Sequence, residues 1–280
     1  MAKTTGTAGA TEPMPVITMP AGGISTFALQ LESMREIVKL RWPLPLFLPY
    51  QRKSQSAMTA TERERFLCAY SMLISTPAPF GWMGPYVDIH DMDIPVGMHF
   101  QHGTLRFLPW HRIYLILLER QLRAIHPDVY IPYWDWTVDR AIPSWLAGVT
   151  PTVTTPAQGA ITVTRSPGPP ADLPTAAEIN AVLALADFGT FDGQLEAYHG
   201  SVHVWVGGTM GAIPTAPCDP IFFMHHANID RLWSKWQAAN PGKNPNLPGP
   251  SPGPNSPVMD PWAYSEVDTR TTTGLGYTYV

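Results

Sequence analysis

Six of the nine histidines in this 280-residue chain fall into two triplets, His90, His102 and His111, then His199, His203 and His226. Imidazole is a borderline ligand that suits copper, zinc, iron and nickel. Two all-histidine triplets with no carboxylate or thiolate among them are the natural holders of a pair of metal ions. A lone histidine is ordinarily a satisfied core or surface imidazole. Six of them in two frames predict a fold that brings two distant segments together around a dinuclear metal centre.

The second triplet has the sharper spacing. His199 and His203 lie at i and i+4 in AYHGSVHVWVGG, which on a helix stacks both rings on one face where they can chelate one ion. The third member arrives in CDPIFFMHHANIDRLW. Asp219 can cap a helix there, and Pro220 suits its first position, where a missing N–H has no consequence. Such a helix projects His225 or His226 within two turns. Asp230, at i+4 from His226, is placed to meet that face and orient the ligand.

The first triplet spans YVDIHDMDIPVGMHFQHGTLRFLPWHRIYLILLERQL. Ile113, Leu117 and Leu118 recur at helical spacing after His111, with Pro109 just before it, so His111 is expected to open a helix. His102 sits in a loop, and His90 ends an earlier apolar stretch. His126, in the turn AIHPDV, reads as a helix-terminal histidine.

Composition agrees with one compact domain. Ten Trp, ten Tyr and ten Phe supply apolar bulk for a sizeable core. A net charge of -4 with only 14% charged residues offers no basic face for nucleic acid. No run approaches the ~20 apolar residues of a membrane span. The N-terminus lacks the basic start and apolar core of a secretory signal, so a cytoplasmic protein is expected. Two cysteines, Cys68 and Cys218, are too few for a disulfide scaffold, and Cys68 in ERERFLCAYSML reads as a small buried hydrophobe. Proline gathers at 147–175, where ITVTR beside PAQG suggests a short hairpin, and at 241–261, which reads as a long surface loop.

Four strings carry a family resemblance: FLPWHR at 107–112, PYWDW at 132–136, VHVWVGG at 202–208 and DPIFFMHHANIDRLW at 219–233. They resemble the tyrosinase family of coupled dinuclear copper proteins, which includes tyrosinases, catechol oxidases and hemocyanins. The resemblance covers roughly residues 50–280 and is carried most specifically by the H-x8-H and D-P-x-F-x3-H-x3-D frames. It implies a mainly α fold, a four-helix bundle enclosing two copper ions, with long Pro-rich loops and few short strands. It also implies a phenolic small-molecule substrate and O2 as partners, and o-quinones as products. By position, His102 and His111 match the second and third ligands of the first copper, and His199, His203 and His226 match all three of the second. The family usually separates its first two ligands by more than the eleven residues between His90 and His102. The rival first ligand is His99, but it is only three residues before His102 and follows Gly97, so His90 is preferred.

The resemblance also divides the chain into an N-terminal extension, 1–50, and a catalytic domain, 51–280, with no C-terminal shielding domain after the Tyr277-x-Tyr279 ending. Lacking that plug, an oxygen carrier is disfavoured relative to an enzyme. Arg52 resembles the arginine that relatives pack against the terminal tyrosine pair. Phe100 stands where some relatives carry a thioether-forming cysteine, so no such crosslink is expected. Phe222 matches a gate residue over the metals, Glu196 an acidic residue that holds an ordered water, and Val204 a position at an apolar entrance. The telling departure is Gly200, where relatives that hydroxylate monophenols often carry Asn or Asp. The reading is therefore an o-diphenol oxidase with slow monophenol hydroxylation, the alternatives being a full tyrosinase with strong monophenol hydroxylation or an o-aminophenol oxidase. Oligomeric state and the need for a copper-delivery partner stay open.

Overall fold

A computed structural model describes residues 49–91 and 100–280. Among these residues are six α-helices and four short strands. Helix α1, Ala60–Ser75, starts at a capping box in which the Thr59 side chain and Glu62 satisfy each other's backbone N–H groups. Phe66, Ala69, Tyr70 and Leu73 form its buried stripe. Cys68 falls off that stripe and is exposed, contrary to the buried position expected of it.

Helix α2, Met83–His90, ends on the first histidine. Helix α3, Phe107–Ile125, is buried along most of its length and forms the centre of the fold. It starts one turn earlier than expected, so His111 is its fifth residue. Pro109 lies inside the first turn, where backbone N–H groups have no intrahelical partner to lose. Helix α4, Ala176–Leu183, packs on α5, Phe188–Val206, and on α6, Pro220–Ala239. Asp219 caps α6 by accepting from Ile221 N, with Pro220 at the first position as expected. Helices α2, α3, α5 and α6 enclose the histidines, which is the predicted four-helix arrangement.

Two glycines close α5. Gly207 and Gly208 have φ of 65° and 57°, and a Cβ on Gly208 would lie 2.1 Å from the Thr164 carbonyl oxygen. That close approach returns the chain to 164–166, where Ser166 N donates to Val206 O at 2.9 Å.

Strands β2, Thr152–Thr155, and β3, Gly159–Thr162, form the antiparallel hairpin suggested by the sequence. Strands β1, Tyr50–Arg52, and β4, Tyr277–Tyr279, pair in parallel. The boundary placed between residues 50 and 51 therefore cuts through β1, and Tyr50 belongs to the folded domain. The rest of the proposed extension, 1–48, lies outside the described residues. No helix among the described residues is long and apolar enough to cross a membrane.

This strand pair is fastened by buried charge. Arg52 donates to Glu119 at 2.7 Å, to Asp230 at 3.2 Å and to the Tyr279 hydroxyl at 2.9 Å, and its guanidinium lies 3.9 Å from the Tyr277 ring centre. Tyr277 and Tyr279 each donate to Asp230 at 2.6 Å, and Arg112 of α3 binds its other oxygen. The expected packing of Arg52 on the tyrosine pair is present. Asp230 does not orient His226; two guanidiniums and two phenols occupy its carboxylate, and the His226 Nδ1 takes no hydrogen bond from it.

Candidate metal centre

The imidazoles are delivered by several local devices. His90 comes from the last turn of α2, His102 from the loop before α3, His111 from the first turns of α3, His199 and His203 from one face of α5, and His226 from the second turn of α6. The Nε2 atoms of His199 and His226 are 3.1 Å apart, those of His203 and His226 3.4 Å, and those of His90 and His111 3.3 Å. The His102 ring centre lies 4.9 Å from that of His90 and 5.0 Å from that of His111. All six sequence-predicted histidines are thus brought together. His99 lies outside the described residues.

The hydrogen bonds on the far side of the rings show why this is a metal centre and not a cluster of mutually bonded imidazoles. His90 Nδ1 donates to Ile213 O at 3.0 Å, His111 Nδ1 to Phe107 O at 2.8 Å and His203 Nδ1 to Met210 O at 2.8 Å. A neutral ring that donates from Nδ1 has a bare lone pair on Nε2. His90 and His111 therefore aim two lone pairs at each other across 3.3 Å, an arrangement that only a cation between them reconciles. Protonation is opposed, because burial and then the neighbouring imidazoles hold His90, His111, His199 and His226 well below the usual histidine range. Burial pushes His203 down to about 4. Neutral imidazole is the form a metal needs.

Geometry alone groups the rings as His90, His111 and His226, and as His199, His203 and His225, with the ligand atoms of each group within 4.8 Å of one another. His226 faces both halves of the centre, and the His225 ring lies parallel to that of His199 at 5.1 Å.

Around the ligands, Glu196 is half-buried and accepts from the backbone N–H of Gly103 at 2.8 Å, beside His102. Burial raises its carboxyl to about 6, against the opposing pull of that N–H. Asp192, one turn earlier on α5, is a buried carboxylate that sequence reasoning missed. Its carboxyl is pushed up by burial and then by Glu196, and it takes a hydrogen bond from Leu108 N at the start of α3. The spacing 192, 196, 199 already placed it on the ligand face of α5.

Gly200 lies one turn after Glu196 on α5, and a Cβ there would meet nothing within 4 Å. Val204, next to His203 on α5, is 75% exposed. Phe222, expected as a gate over the metals, has no exposed surface. Its ring centre is 4.2 Å from that of His226 and 4.9 Å from that of His90, packed against the ligand rings.

A helical bundle that converges six neutral imidazoles on one buried point defines the class of dinuclear metalloproteins with all-histidine ligation. The family model "Common central domain of tyrosinase" matches residues 82–169 and 151–239. The tyrosinase of Streptomyces antibioticus is 33% identical over 257 residues, covering 75% of this chain and 92% of that protein. Grixazone synthase of Streptomyces griseus is 29% identical over 267 residues, covering 70% and 87%. A functional unit of octopus hemocyanin superposes with a TM-score of 0.68 at 26% identity, covering 82% of this chain and 68% of that one. The chain belongs to the tyrosinase family. It is a type-3 copper oxidoreductase with two copper ions, in general terms a phenol oxidase.

The assignment of His90 over His99 gives a direct expectation. His90→Ala should lower the copper content by one per chain, and His99→Ala should leave two. Metal analysis of the two purified variants decides it, and the reverse ranking would assign the ligand to His99.

Proposed function

We propose that His90, His102 and His111 hold one copper and His199, His203 and His226 the other, and that the enzyme oxidises o-diphenols to o-quinones with O2 and hydroxylates monophenols more slowly. The two coppers supply the oxidising chemistry; the chain's own residues position the ring and handle its proton.

The observation that carries the preference is the glycine at 200, one helical turn after Glu196, with open space where its side chain would stand. A phenol has a pKa near 10, so it must lose its proton to a positioned base before its oxygen can serve as a ligand at neutral pH. Glu196 is the carboxylate available for that, acting through a water held between it and the substrate. Gly200 contributes no second group to fix such a water.

Two measurements test this reading. Gly200→Asn places an amide one turn after Glu196, so the monophenol-to-diphenol rate ratio should rise by ~10-fold or more, the scale of one charge-assisted hydrogen bond. Asparagine is less costly than glycine inside a helix, so α5 should hold. An unchanged ratio with both coppers bound would contradict the role given to Gly200. Separately, Glu196 can take up a proton as a base only in its carboxylate form, the form present above its value of about 6. The ratio should therefore fall as pH drops through about 6, and Glu196→Gln, which keeps an oxygen for Gly103 N, should remove that limb of the profile. A Glu196→Gln profile identical to wild type would show that the proton goes elsewhere.

A further inference from the structure

His225 is a seventh histidine at the centre, as buried as any ligand, and the ligand set proposed above leaves it without a part. We infer that His225 is a positioning residue that Trp136 locks in the tautomer unable to bind metal, and that its ring fixes the plane of His199 for the second copper. The inference rests on that ligand set.

Trp136 Nε1 donates to His225 Nδ1 at 3.1 Å, and both residues are 0% exposed. The indole nitrogen is a donor only, so it must meet a lone pair. A neutral imidazole has one N–H and one lone pair; with the lone pair at Nδ1 engaged, the proton stands on Nε2. His225 thus has no free lone pair to offer, although its ring stands as close to His199 and His203 as a ligand would.

What it offers is a flat surface. His90, His111 and His203 are oriented by Nδ1 hydrogen bonds to backbone carbonyls, whereas the buried Nδ1 atoms of His199 and His226 make no hydrogen bond. Each of those two rings instead lies nearly parallel to another imidazole. His226 stacks on His111 at 4.4 Å and 13°, and His199 stacks on His225 at 5.1 Å and 8°. Stacking replaces the outer hydrogen bond that ordinarily sets a ligand's orientation. The backbone keeps Trp136 beside His225, because Trp134 N donates to Met224 O at 3.1 Å and so joins the PYWDW segment to α6 one residue before His225.

The test uses the full chain loaded with copper(I), which is diamagnetic. Long-range nitrogen–proton correlation spectra of the 15N-histidine-labelled protein should show His225 with its proton on Nε2 and a lone pair on Nδ1. Trp136→Phe keeps the ring and removes the donor, and His225 should then populate both tautomers. His225→Gln should retain two coppers but bind the second roughly 10- to 100-fold more weakly in chelator competition, the range for loss of a group that orients a ligand. A His225 proton on Nδ1 in wild type, or the complete loss of one copper in His225→Gln with affinity at the other unchanged, would overturn the inference. Fewer than two coppers in the wild-type sample would overturn the ligand set instead, and the metal analysis of the same sample separates the two failures.

Discussion

Replacing His226 with alanine should leave one copper per chain instead of two and lower catechol oxidation by roughly 10³-fold or more, the scale on which groups acting as one unit are lost. The expectation follows from its position. Its Nε2 lies 3.1 Å from that of His199 and 3.4 Å from that of His203, while its ring stacks on His111 of the first triplet. Its ring is thus in close contact with both halves of the centre. Copper content by elemental analysis and initial rates on a catechol check the outcome, with far-ultraviolet circular dichroism to confirm that α6 persists. Retention of two coppers would remove His226 from the ligand set.

The second large effect falls on stability. Asp230→Ala should cost about 3–5 kcal/mol, because it leaves the buried guanidiniums of Arg52 and Arg112 without the carboxylate they share and frees the Tyr277 and Tyr279 hydroxyls. Burial alone would raise the Asp230 carboxyl, but Arg112 and then Arg52 override it and hold it below the ordinary value. A depressed folded-state value stabilises above the unfolded carboxylate pKa of about 3.9 and is lost as pH falls through the folded value. Urea unfolding of the metal-free chain at neutral pH measures the loss. The difference between wild type and variant should shrink only below about pH 4. A change under about 1 kcal/mol would mean that water replaces the carboxylate and that the clasp between β1, β4 and α6 is not closed.

The legibility of the site followed from how local each signal was. The i, i+4 pair His199 and His203, the Asp219–Pro220 start of α6 and the 152–162 hairpin depend on neighbours in sequence, and all three stand as read. Features set by distant partners were misread or missed. Helical spacing put Asp230 on the same side as His226, yet the charges on Arg52 and Arg112, 178 and 118 residues away, decided where it points. Phe222 lies one turn before a ligand, and nothing local shows that its ring is fully buried against His90 and His226. Cys68 was assigned to the core because its neighbours are apolar, but the buried stripe of α1 runs through 66, 69, 70 and 73 and passes it by. Trp136 and His225 are 89 residues apart, so their hydrogen bond had no signature beyond the presence of both strings.

The most direct test of the account is a crystal structure of the copper-loaded chain with anomalous-difference maps at the copper absorption edge. Two peaks are predicted, one within coordination distance of His90, His102 and His111 and the other of His199, His203 and His226, with His225 Nε2 bound to neither. A single peak between the triplets, or a second peak held by His225 in place of His226, would contradict it.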